Sequence, residues 1–462
     1  MKVSNFSVLF ILTTIALMAV ALYNGFPVAE GDTAAYIEQA IYPHFTPERT
    51  PFYGFFIRFS SLHTSLWFPI IVQCMILSYL VLKYIRYFQR GSSVPGDAGQ
   101  TDFSYTLLTV VTIVSFTCVS WVTAYLMPDV FAGILLLAVI LYISEQPGTV
   151  KSQRLYLVII FLSILTHNSH FPITLLFSLV LLAWAVIKKY KTLVRRSVVM
   201  ISVCALVWLI MCGMNAVKKH GFVFSRGEDI LLMAKFAETG ILTKYLNENC
   251  DKKNYKICAW KNSIPDSLTE FLWSGESPLY KMGGWDSSKE EYAAIVRDIL
   301  TTPRYSLMFA EKSVVSTLKE MTQIQAPDKI TWLGMESAPW KKIRQYFPDE
   351  IREYSTSFQN TTALTAASVQ CNLIYYLFFV LSTLWMLLFY TRIMDKELHF
   401  IYCCILLFFV VNAFVTATFS TVTYRFQYRI FWLLPATNAI VIVKYYRTRY
   451  AHLKEQIADR LN

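Results

Sequence analysis

Six ionisable side chains lie near the outer ends of long apolar runs. They are two acids, two histidines and two arginines: Asp32, Asp129, His167, His170, Arg425 and Arg429. Ionisable groups at membrane depth are costly and usually face a cavity. A carboxylate can take a proton from an acceptor hydroxyl, and arginines can pair bidentately with phosphate oxygens. This set of residues therefore suits transfer from a phosphate-linked donor.

The segment that follows the first apolar run adds two candidates. Arg49 and Tyr53 belong to the motif Arg-Thr-Pro-Phe-Tyr, within a loop at about 24–63 that is too long for a plain turn. Arg49 is interpreted as a phosphate or donor contact and Tyr53 as a further site residue. The alternative is that Arg49 only pairs with Glu48 or Asp32.

Each of the other candidates also has a purely structural interpretation. Asp32 could cap a short helix that begins at Thr33, and Asp129 could cap the fourth apolar run. The two histidines could be satisfied hairpin residues, and the two late arginines could anchor a helix end among lipid headgroups. The external tryptophans could stack on sugar rings or form loop core: Trp260, Trp273, Trp285, Trp332 and Trp340.

The composition identifies the class of protein that must position these residues. The chain has 462 residues, of which 55% are hydrophobic and only 16% charged, and its mean hydropathy is +0.42. Average soluble proteins carry about 25% charged residues. This composition excludes a soluble globular enzyme, a disordered chain and a nucleic-acid-binding domain. The sequence therefore predicts an all-α polytopic membrane protein.

Apolar runs predict about ten transmembrane helices. The predicted spans are 6–23, 64–82, 104–126, 129–144, 155–167, 171–187, 197–215, 371–391, 398–418 and 430–443. Basic residues collect on alternate loops, and the excess on that side accounts for the whole net charge of +11. The positive-inside rule then places both termini in the cytoplasm, as in a multi-pass protein of a bacterial inner or plasma membrane. No nucleic-acid partner is needed to explain the basicity.

The predicted spans divide the chain into three parts. Residues 1–215 form an N-terminal transmembrane module that includes the candidate catalytic loop. Residues 216–368 form an external, mostly helical domain. Residues 369–462 form a C-terminal transmembrane module with a basic cytoplasmic tail. Within the first module, the polar, glycine- and serine-rich segment 91–101 predicts a flexible linker.

Two of the nine cysteines lie outside the apolar runs. Cys250 and Cys258 are eight residues apart in the predicted external domain. In an oxidising compartment, such a pair favours a disulfide that closes a small loop. The alternative is two free thiols.

The first-loop pattern resembles the GT-C class of polyprenyl-phosphate-sugar-dependent glycosyltransferases, which includes protein mannosyltransferases and the aminoarabinose transferases of lipid A. The residues that carry the resemblance are Gly31, Asp32, Tyr36 and the motif from Arg49 to Tyr53. The Pro-Asp step at 128–129, the histidine-bearing hairpin and the late arginines are also similar to that architecture. The resemblance covers about residues 1–190 and, loosely, the C-terminal end. The region 216–368 lies outside it.

The resemblance implies an integral-membrane glycosyltransferase with a GT-C-like fold. Its donor would be a sugar on a polyprenyl phosphate, and its acceptor a lipid, glycan or protein at the extracytoplasmic face, among membrane lipids. Asp32 would be the catalytic base, and we interpret Arg49, Arg425 and Arg429 as donor or phosphate contacts. No cofactor is implied with certainty. A divalent metal is left open, because Gly31 stands where many members have a second acid.

Two other functions remain open at this point. An O-antigen-type polymerase or ligase also uses external arginines and histidines and a large external loop. A transporter or flippase of lipid-linked substrates would need mid-span charges and broken helices, and the predicted spans show few of either. The most informative observation is whether Asp32, Arg49, His167 and Arg425 converge on one cavity.

Overall fold

The chain is all-helical, as the composition predicts. The computed structural model describes residues 5–89, 100–144, 150–327, 330–361 and 363–461. Within these ranges there is no β-strand, and the one isolated bridge is parallel and joins Val28 to Tyr125. Most of the predicted linker at 91–101 lies outside the described residues.

The N-terminal part runs back and forth through apolar helices. Its described α-helices are α1 Asn5–Leu17, α2 Ala19–Asn24, α3 Thr33–Ile41, α4 Phe52–Ser61, α5 Trp67–Gln89, α6 Gln100–Phe116, α7 Val119–Ala124, α8 Val130–Ser144, α9 Val150–Thr166, α10 His170–Ile187 and α11 Lys191–Val217. Nearly every side chain of α8 is buried, so this helix lies at the centre of the core. The short helices α3 and α4 pack closely, because a Cβ at Gly54 would lie 2.6 Å from that of Gln39.

The middle part is built from shorter helices. Its described α-helices are α12 Glu228–Glu238, α13 Ile241–Asn249, α14 Leu268–Trp273, α15 Pro278–Lys281, α16 Gly284–Thr301, α17 Pro303–Met321, α18 Ala338–Tyr346 and α19 Ile351–Thr356. Three 3-10 helices accompany them: Lys256–Trp260, Pro348–Glu350 and Phe358–Asn360. A disulfide joins Cys250 to Cys258 just after α13, the pairing that the sequence favours.

Two hydrophobic cores divide this middle part. Helices α12 to α17 enclose a core of their own, which includes Phe236, Tyr245 and Tyr292. Helices α18 and α19 instead contribute Trp340 and Tyr354 to the core of the apolar helices. The stretch from α12 to α17 therefore has a hydrophobic core of its own; it is called the external unit below, after its predicted location.

The C-terminal part returns to long helices. They are α20 Ala363–Leu388, α21 Tyr390–Ile393, α22 Lys396–Phe419, α23 Tyr424–Phe431 and α24 Leu433–Leu461. α22 packs against α10, α17 and α23, so it connects all three parts of the chain. The junction of α22 and α23 faces the external unit.

Six helical segments in the described ranges are long and apolar enough to cross a membrane. They are Trp67–Gln89, His170–Ile187, Lys191–Val217, Ala363–Leu388, Lys396–Phe419 and Tyr424–Leu453. Three more predicted spans coincide with shorter apolar helices: Asn5–Leu17, Asp102–Phe116 and Val130–Ser144. The predicted span 155–167 overlaps α9, which ends at Thr166, and belongs to neither group. These helices suggest a multi-pass membrane protein.

One of the predicted spans is interrupted. α6 ends at Phe116 and α7 begins at Val119, within the predicted span 104–126. At Met18 and Trp432 the backbone stays in the right-handed helical region, so these positions are local irregularities within a helical path. Near Trp432 the irregularity has an identifiable cause, because Pro435 lacks the N–H that would bond the carbonyl four residues earlier. The Trp432 indole also donates to the carbonyl of Arg429 at 3.1 Å.

Candidate functional site

A cavity of about 650 Å³ lies where the three parts of the chain meet. Its walls come from the segment after α2, the loop before α4, the α9–α10 hairpin, helices α12 and α14, and the α22–α23 junction. Four of the candidate residues line it: Asp32, Arg49, His167 and Arg425. The other four lie outside its lining: Tyr53, Asp129, His170 and Arg429. The sequence candidates therefore separate into a cavity-facing set and a supporting set.

The loop before α3 is held by backbone and side-chain hydrogen bonds. The Val28 N–H donates to the Ala124 carbonyl, and the Leu126 N–H donates to the Val28 carbonyl, both at 2.9 Å. On the other side, the Gln359 side-chain amide bonds the Ala29 N–H at 2.9 Å and the Ala29 carbonyl at 2.6 Å. These contacts hold the acidic end of the loop in place against α7.

The loop that carries Arg49 is held by the α9–α10 hairpin. The Thr50 hydroxyl donates to the carbonyl of Leu165 at 2.7 Å. The Asn168 side chain donates to the carbonyl of Glu48 at 3.1 Å. Hydrogen bonds to the hairpin therefore hold both chain neighbours of Arg49, Glu48 and Thr50, and fix the backbone from which Arg49 reaches the cavity.

Asp32 lies between two guanidinium groups. Its Oδ1 accepts from Arg49 at 2.5 Å, and its Oδ2 accepts from both terminal nitrogens of Arg425, at 3.2 and 3.3 Å. The carboxylate makes no capping hydrogen bond to α3, so the capping interpretation is wrong. Burial opposes ionisation, but the charges of Arg425 and Arg49 outweigh it and hold the pKa of Asp32 below its usual range. Asp32 is therefore a fixed negative charge that orients both arginines.

A second group of charged side chains, Arg429 and Asp129, lies behind the residues that face the cavity. Arg429 is fully buried and donates to Asp129 at 3.2 Å, to the Asn412 side-chain carbonyl at 3.0 Å and to the Ser169 hydroxyl at 3.4 Å. The same Asp129 oxygen lies 3.7 Å from Nε of Arg425. Because Arg429 is enclosed by protein groups, its place is behind the cavity. It positions Asp129, and Asp129 in turn faces Arg425.

The two histidines differ in exposure to the cavity. The Nδ1 atom of His167 accepts from the Ser169 N–H at 3.2 Å and lies 2.8 Å from the Ser169 hydroxyl. His170 is fully buried and its Nδ1 bonds the Ser163 carbonyl at 2.8 Å. The hairpin interpretation therefore fits His170, whereas His167 lines the cavity.

The motif tyrosine takes a supporting position. Tyr53 is fully buried, and its ring packs edge-on against Tyr36 at a centroid distance of 5.1 Å. Tyr36 lines the cavity, and the guanidinium of Arg49 lies 5.7 Å from its ring centroid. Tyr53 is therefore behind Tyr36, which presents the aromatic face.

Sequence analysis missed Glu30, which also lines the cavity. Burial raises the pKa of Glu30 to about 7, since its effect and that of the negative Asp32 exceed the opposing charge of Arg425. The available signal was its place two residues before Asp32, in the same acidic turn. A carboxylate with a pKa near neutrality is suited to accept a proton.

The external unit supplies the other side of the cavity, a role that the sequence analysis did not predict for this region. Trp273 of α14 lines the cavity, and the residue is 48% exposed. Its ring lies 5.9 Å from the guanidinium of Arg49 and 5.9 Å from the ring of Trp285. Of the two interpretations of the external tryptophans, stacking on a ligand therefore fits Trp273 better than loop core.

The junction that carries Arg425 is tied to the external unit. The Thr421 hydroxyl donates to Glu238 of α12 at 2.7 Å, and the Thr423 N–H donates to Glu320 of α17 at 2.9 Å. Burial raises the pKa of Glu320 to about 7, although the Thr423 bond opposes the shift. These two contacts fix the start of α23 and with it the direction of Arg425.

The acidic side chains near the cavity pair with arginines, which bears on whether a metal ion could bind there. Among the described residues, no group of three or more His, Cys, Asp and Glu side chains is arranged to hold a metal ion. Asp32 and Asp129 instead pair with guanidinium groups. The use of a divalent metal stays an open prediction.

A scan of protein-family models, a search of curated proteins and a search of solved structures each found no match to this chain. The functional argument therefore depends on the geometry of the cavity and on the residues that line it.

Proposed function

We propose that this protein is an integral-membrane glycosyltransferase of the GT-C type. It transfers a sugar from a polyprenyl-phosphate donor to an acceptor at the extracytoplasmic face. The observation that carries the proposal is the convergence of Asp32, Arg49, His167 and Arg425, from four separate segments, on one cavity. The ten-span topology with cytoplasmic termini belongs to the same proposal.

Arg49 and Arg425 bind the donor phosphate. Both reach the cavity, with side chains 15% and 24% exposed, and Asp32 holds their planar groups in place from one side. Guanidinium groups match phosphate oxygens bidentately and keep their charge at any physiological pH. In the transition state, the leaving phosphate gains negative charge, which these fixed cations stabilise.

Glu30 takes the proton of the acceptor. The acceptor hydroxyl oxygen forms a bond to the anomeric carbon, and the bond from that carbon to the phosphate oxygen breaks. The electron pair leaves with the phosphate, and the hydroxyl proton goes to the carboxylate. Glu30 suits this step because of its raised pKa, whereas Asp32 is committed to two arginines. Asp32 as the base is the competing assignment, and the pH profile described in the Discussion distinguishes the two.

The shape of the cavity also suits a lipid-linked sugar. A volume of about 650 Å³ falls within the usual 300–1,000 Å³ of small-molecule sites. Trp273 is 48% exposed and offers an aromatic face beside Arg49, where a sugar ring can stack. Phe171 of α10 and Phe419 of α22 add apolar surface at the ends of two candidate spans, where a prenyl chain can leave toward the bilayer.

Two competing functions use part of the same geometry. A polymerase or ligase would use the same donor site with a glycan acceptor, so the acceptor distinguishes it. A transporter of lipid-linked substrates is favoured by one observation, the helix break at 117–118. It would move the lipid without forming a glycosidic bond.

The test is a transfer assay with the full-length protein in liposomes. Labelled polyprenyl-phosphate sugars are supplied with lipid, glycan or peptide acceptors. We expect label in one acceptor and an equal amount of free polyprenyl phosphate, and loss of both in Asp32→Asn. The control is Asp266→Asn, an exposed acid of the external unit. Lipid movement across the bilayer without sugar transfer would replace the proposal with a transporter.

A further inference from the structure

A second and larger cavity, of about 1,340 Å³, lies at the opposite ends of α10 and α22. It is bounded by the end of α10, the turn into α11, and the start of α22. These are the ends of three helices that are long and apolar enough to cross a membrane. The cavity therefore lies where membrane helices meet the headgroup region.

Basic side chains surround this cavity. Its lining includes Lys189, Lys191, Arg196 and Lys396. Two acids also line it, but both already serve as acceptors within the protein. Asp395 accepts from the Leu398 N–H at 2.7 Å and so caps α22, and Glu397 accepts from the Tyr87 hydroxyl. The excess positive charge faces the cavity.

The start of α11 adds to this positive potential. Lys191 is its first residue, its first turn contains no acid, and the Tyr190 side chain does not cap it. A helix N-terminus carries roughly half a positive charge, so cations there are unfavourable unless an anion is near. Arg196 follows one turn later and donates to the carbonyl of Ile143 at 2.6 Å. An anion in the cavity would interact favourably with the helix end and with Lys191.

The walls beyond the charged rim are apolar. Trp184 of α10 stacks on Phe400 of α22 with ring centroids 5.6 Å apart and planes inclined by 18°. Leu181 and Leu407 line the same cavity on the two helices. Since both helices are candidate spans, this surface continues toward the bilayer interior, where an acyl chain rather than a soluble anion would lie.

We propose that this cavity binds an anionic phospholipid, with its phosphate between Lys191 and Lys396 and an acyl chain against Trp184 and Phe400. The basic side chains at the rim favour a lipid whose headgroup has a net negative charge. The aromatic wall favours a lipid over a soluble anion, because it can pack against an acyl chain. This site does not depend on the proposed sugar transfer, because none of its residues lines the other cavity.

The first test measures lipid binding to the purified full-length protein in neutral detergent. Phosphatidylglycerol, phosphatidylcholine and inorganic phosphate are titrated separately, and bound lipid is counted by native mass spectrometry. We expect Lys191→Gln with Lys396→Gln to weaken phosphatidylglycerol binding about 25-fold, because each basic side chain near an anionic lipid contributes about fivefold.

The matched control removes the same charge elsewhere. Lys151 and Arg154 are exposed at the start of α9, beyond the cavity but on the same side of the helical bundle. Lys151→Gln with Arg154→Gln is expected to change phosphatidylglycerol binding less than twofold. An equal loss of phosphatidylglycerol binding in both double variants would show only general electrostatic attraction to basic residues, and would overturn the proposal. Equal binding of phosphatidylcholine, or competition by inorganic phosphate alone, would also overturn it.

Cys403 provides a second measurement that needs no variant. It lines the cavity and its side chain is exposed, whereas Cys404 beside it is buried. Phosphatidylglycerol is expected to slow alkylation of Cys403 by a maleimide, and phosphatidylcholine at the same concentration to leave the rate unchanged. Unchanged alkylation with saturating phosphatidylglycerol would place the lipid elsewhere.

Discussion

The cavities at the two ends of α10 and α22 differ in how their charged side chains are paired. At the end near Arg425, charges of both signs alternate and each cation has a fixed partner. At the end near Lys191, basic side chains surround an apolar groove. The two acids there, Asp395 and Glu397, accept hydrogen bonds from other protein groups. The first arrangement suits one ligand in one orientation. The second suits any lipid with the right charge.

This difference also predicts how the two ends tolerate substitution. Breaking one partner of a buried ion pair costs about 3–5 kcal/mol, because an uncompensated charge stays in the interior. Exposed pairs contribute about 0–1 kcal/mol. Substitutions at the buried network should therefore affect folding or catalysis strongly. Substitutions at the basic rim should affect lipid binding alone.

The largest effect is expected for Arg429→Met. It would leave Asp129 buried with only Arg425 at 3.7 Å, and would remove the bonds to Asn412 and Ser169. We expect a loss of about 3–5 kcal/mol and little folded protein by size-exclusion chromatography in detergent. Arg226→Met is the control, because its partner Asp286 is 81% exposed. Equal yields for both variants would contradict a supporting role for Arg429.

The next effect separates catalysis from folding. Asp32→Asn keeps the size of the side chain but removes the charge that orients Arg49 and Arg425. We expect normal insertion and a loss of transfer of roughly 10²-fold or more, because the two arginines that bind the donor phosphate lose their fixed positions. Transfer is measured from a lipid-phosphate sugar, with membrane insertion checked in parallel. Transfer near the wild-type rate would remove Asp32 from the mechanism.

Arg425→Lys tests the phosphate contact. It keeps the positive charge but loses the planar fork that meets Asp32 with two nitrogens. We expect the KM for the donor to rise about tenfold, with a smaller change in kcat and in thermal stability. The control is Arg392→Lys, at the other end of the helices. An unchanged KM would assign Arg425 to a structural role.

The pH profile of transfer tests Glu30 against Asp32. Since the pKa of Glu30 is raised to about 7, its carboxylate is protonated below that pH and cannot accept a proton. We expect the rate of transfer to rise with pH up to about pH 7 and then to stay constant. In Glu30→Gln, this rise with pH is expected to disappear. If Asp32 were the base, its lowered pKa would place the rise below the usual range of an aspartate.

The smallest effect is expected at the basic rim. Lys191→Gln with Lys396→Gln should change sugar transfer in phosphatidylcholine liposomes by less than about twofold, because exposed charges contribute little to folding. The measurement is the same transfer assay, run beside the lipid-binding titration. A large loss of transfer would show that the two cavities are coupled through α10 and α22.

Several features of the protein follow from the sequence by itself. The all-helical class and the six full-length apolar helices follow because hydropathy and composition are properties of continuous segments. The Cys250–Cys258 disulfide follows from close spacing in a polar region. The candidate residues could be chosen because ionisable groups at membrane depth are costly and usually face a cavity.

Which candidates face the cavity was decided by tertiary structure. Arg425 and Arg429 are four residues apart and share one helical face, yet one reaches the cavity and the other is fully buried. The partner that separates them is Asp32, which is 393 residues from Arg425 in the chain. Helical periodicity describes only neighbours within a few turns, so it cannot show which distant carboxylate a guanidinium will meet.

Glu30 was found only in the tertiary structure, which also decided between the two interpretations that the sequence left open for Trp273. The raised pKa of Glu30 comes from burial and from its charged neighbours, neither of which a local sequence contains. Trp273 enters the site because the external unit folds back over the loop of Arg49. The sequence determines which segments are apolar and which groups can do chemistry. Packing of the three parts of the chain decides which of those groups meet, because burial and charge pairing depend on neighbours that are distant in sequence.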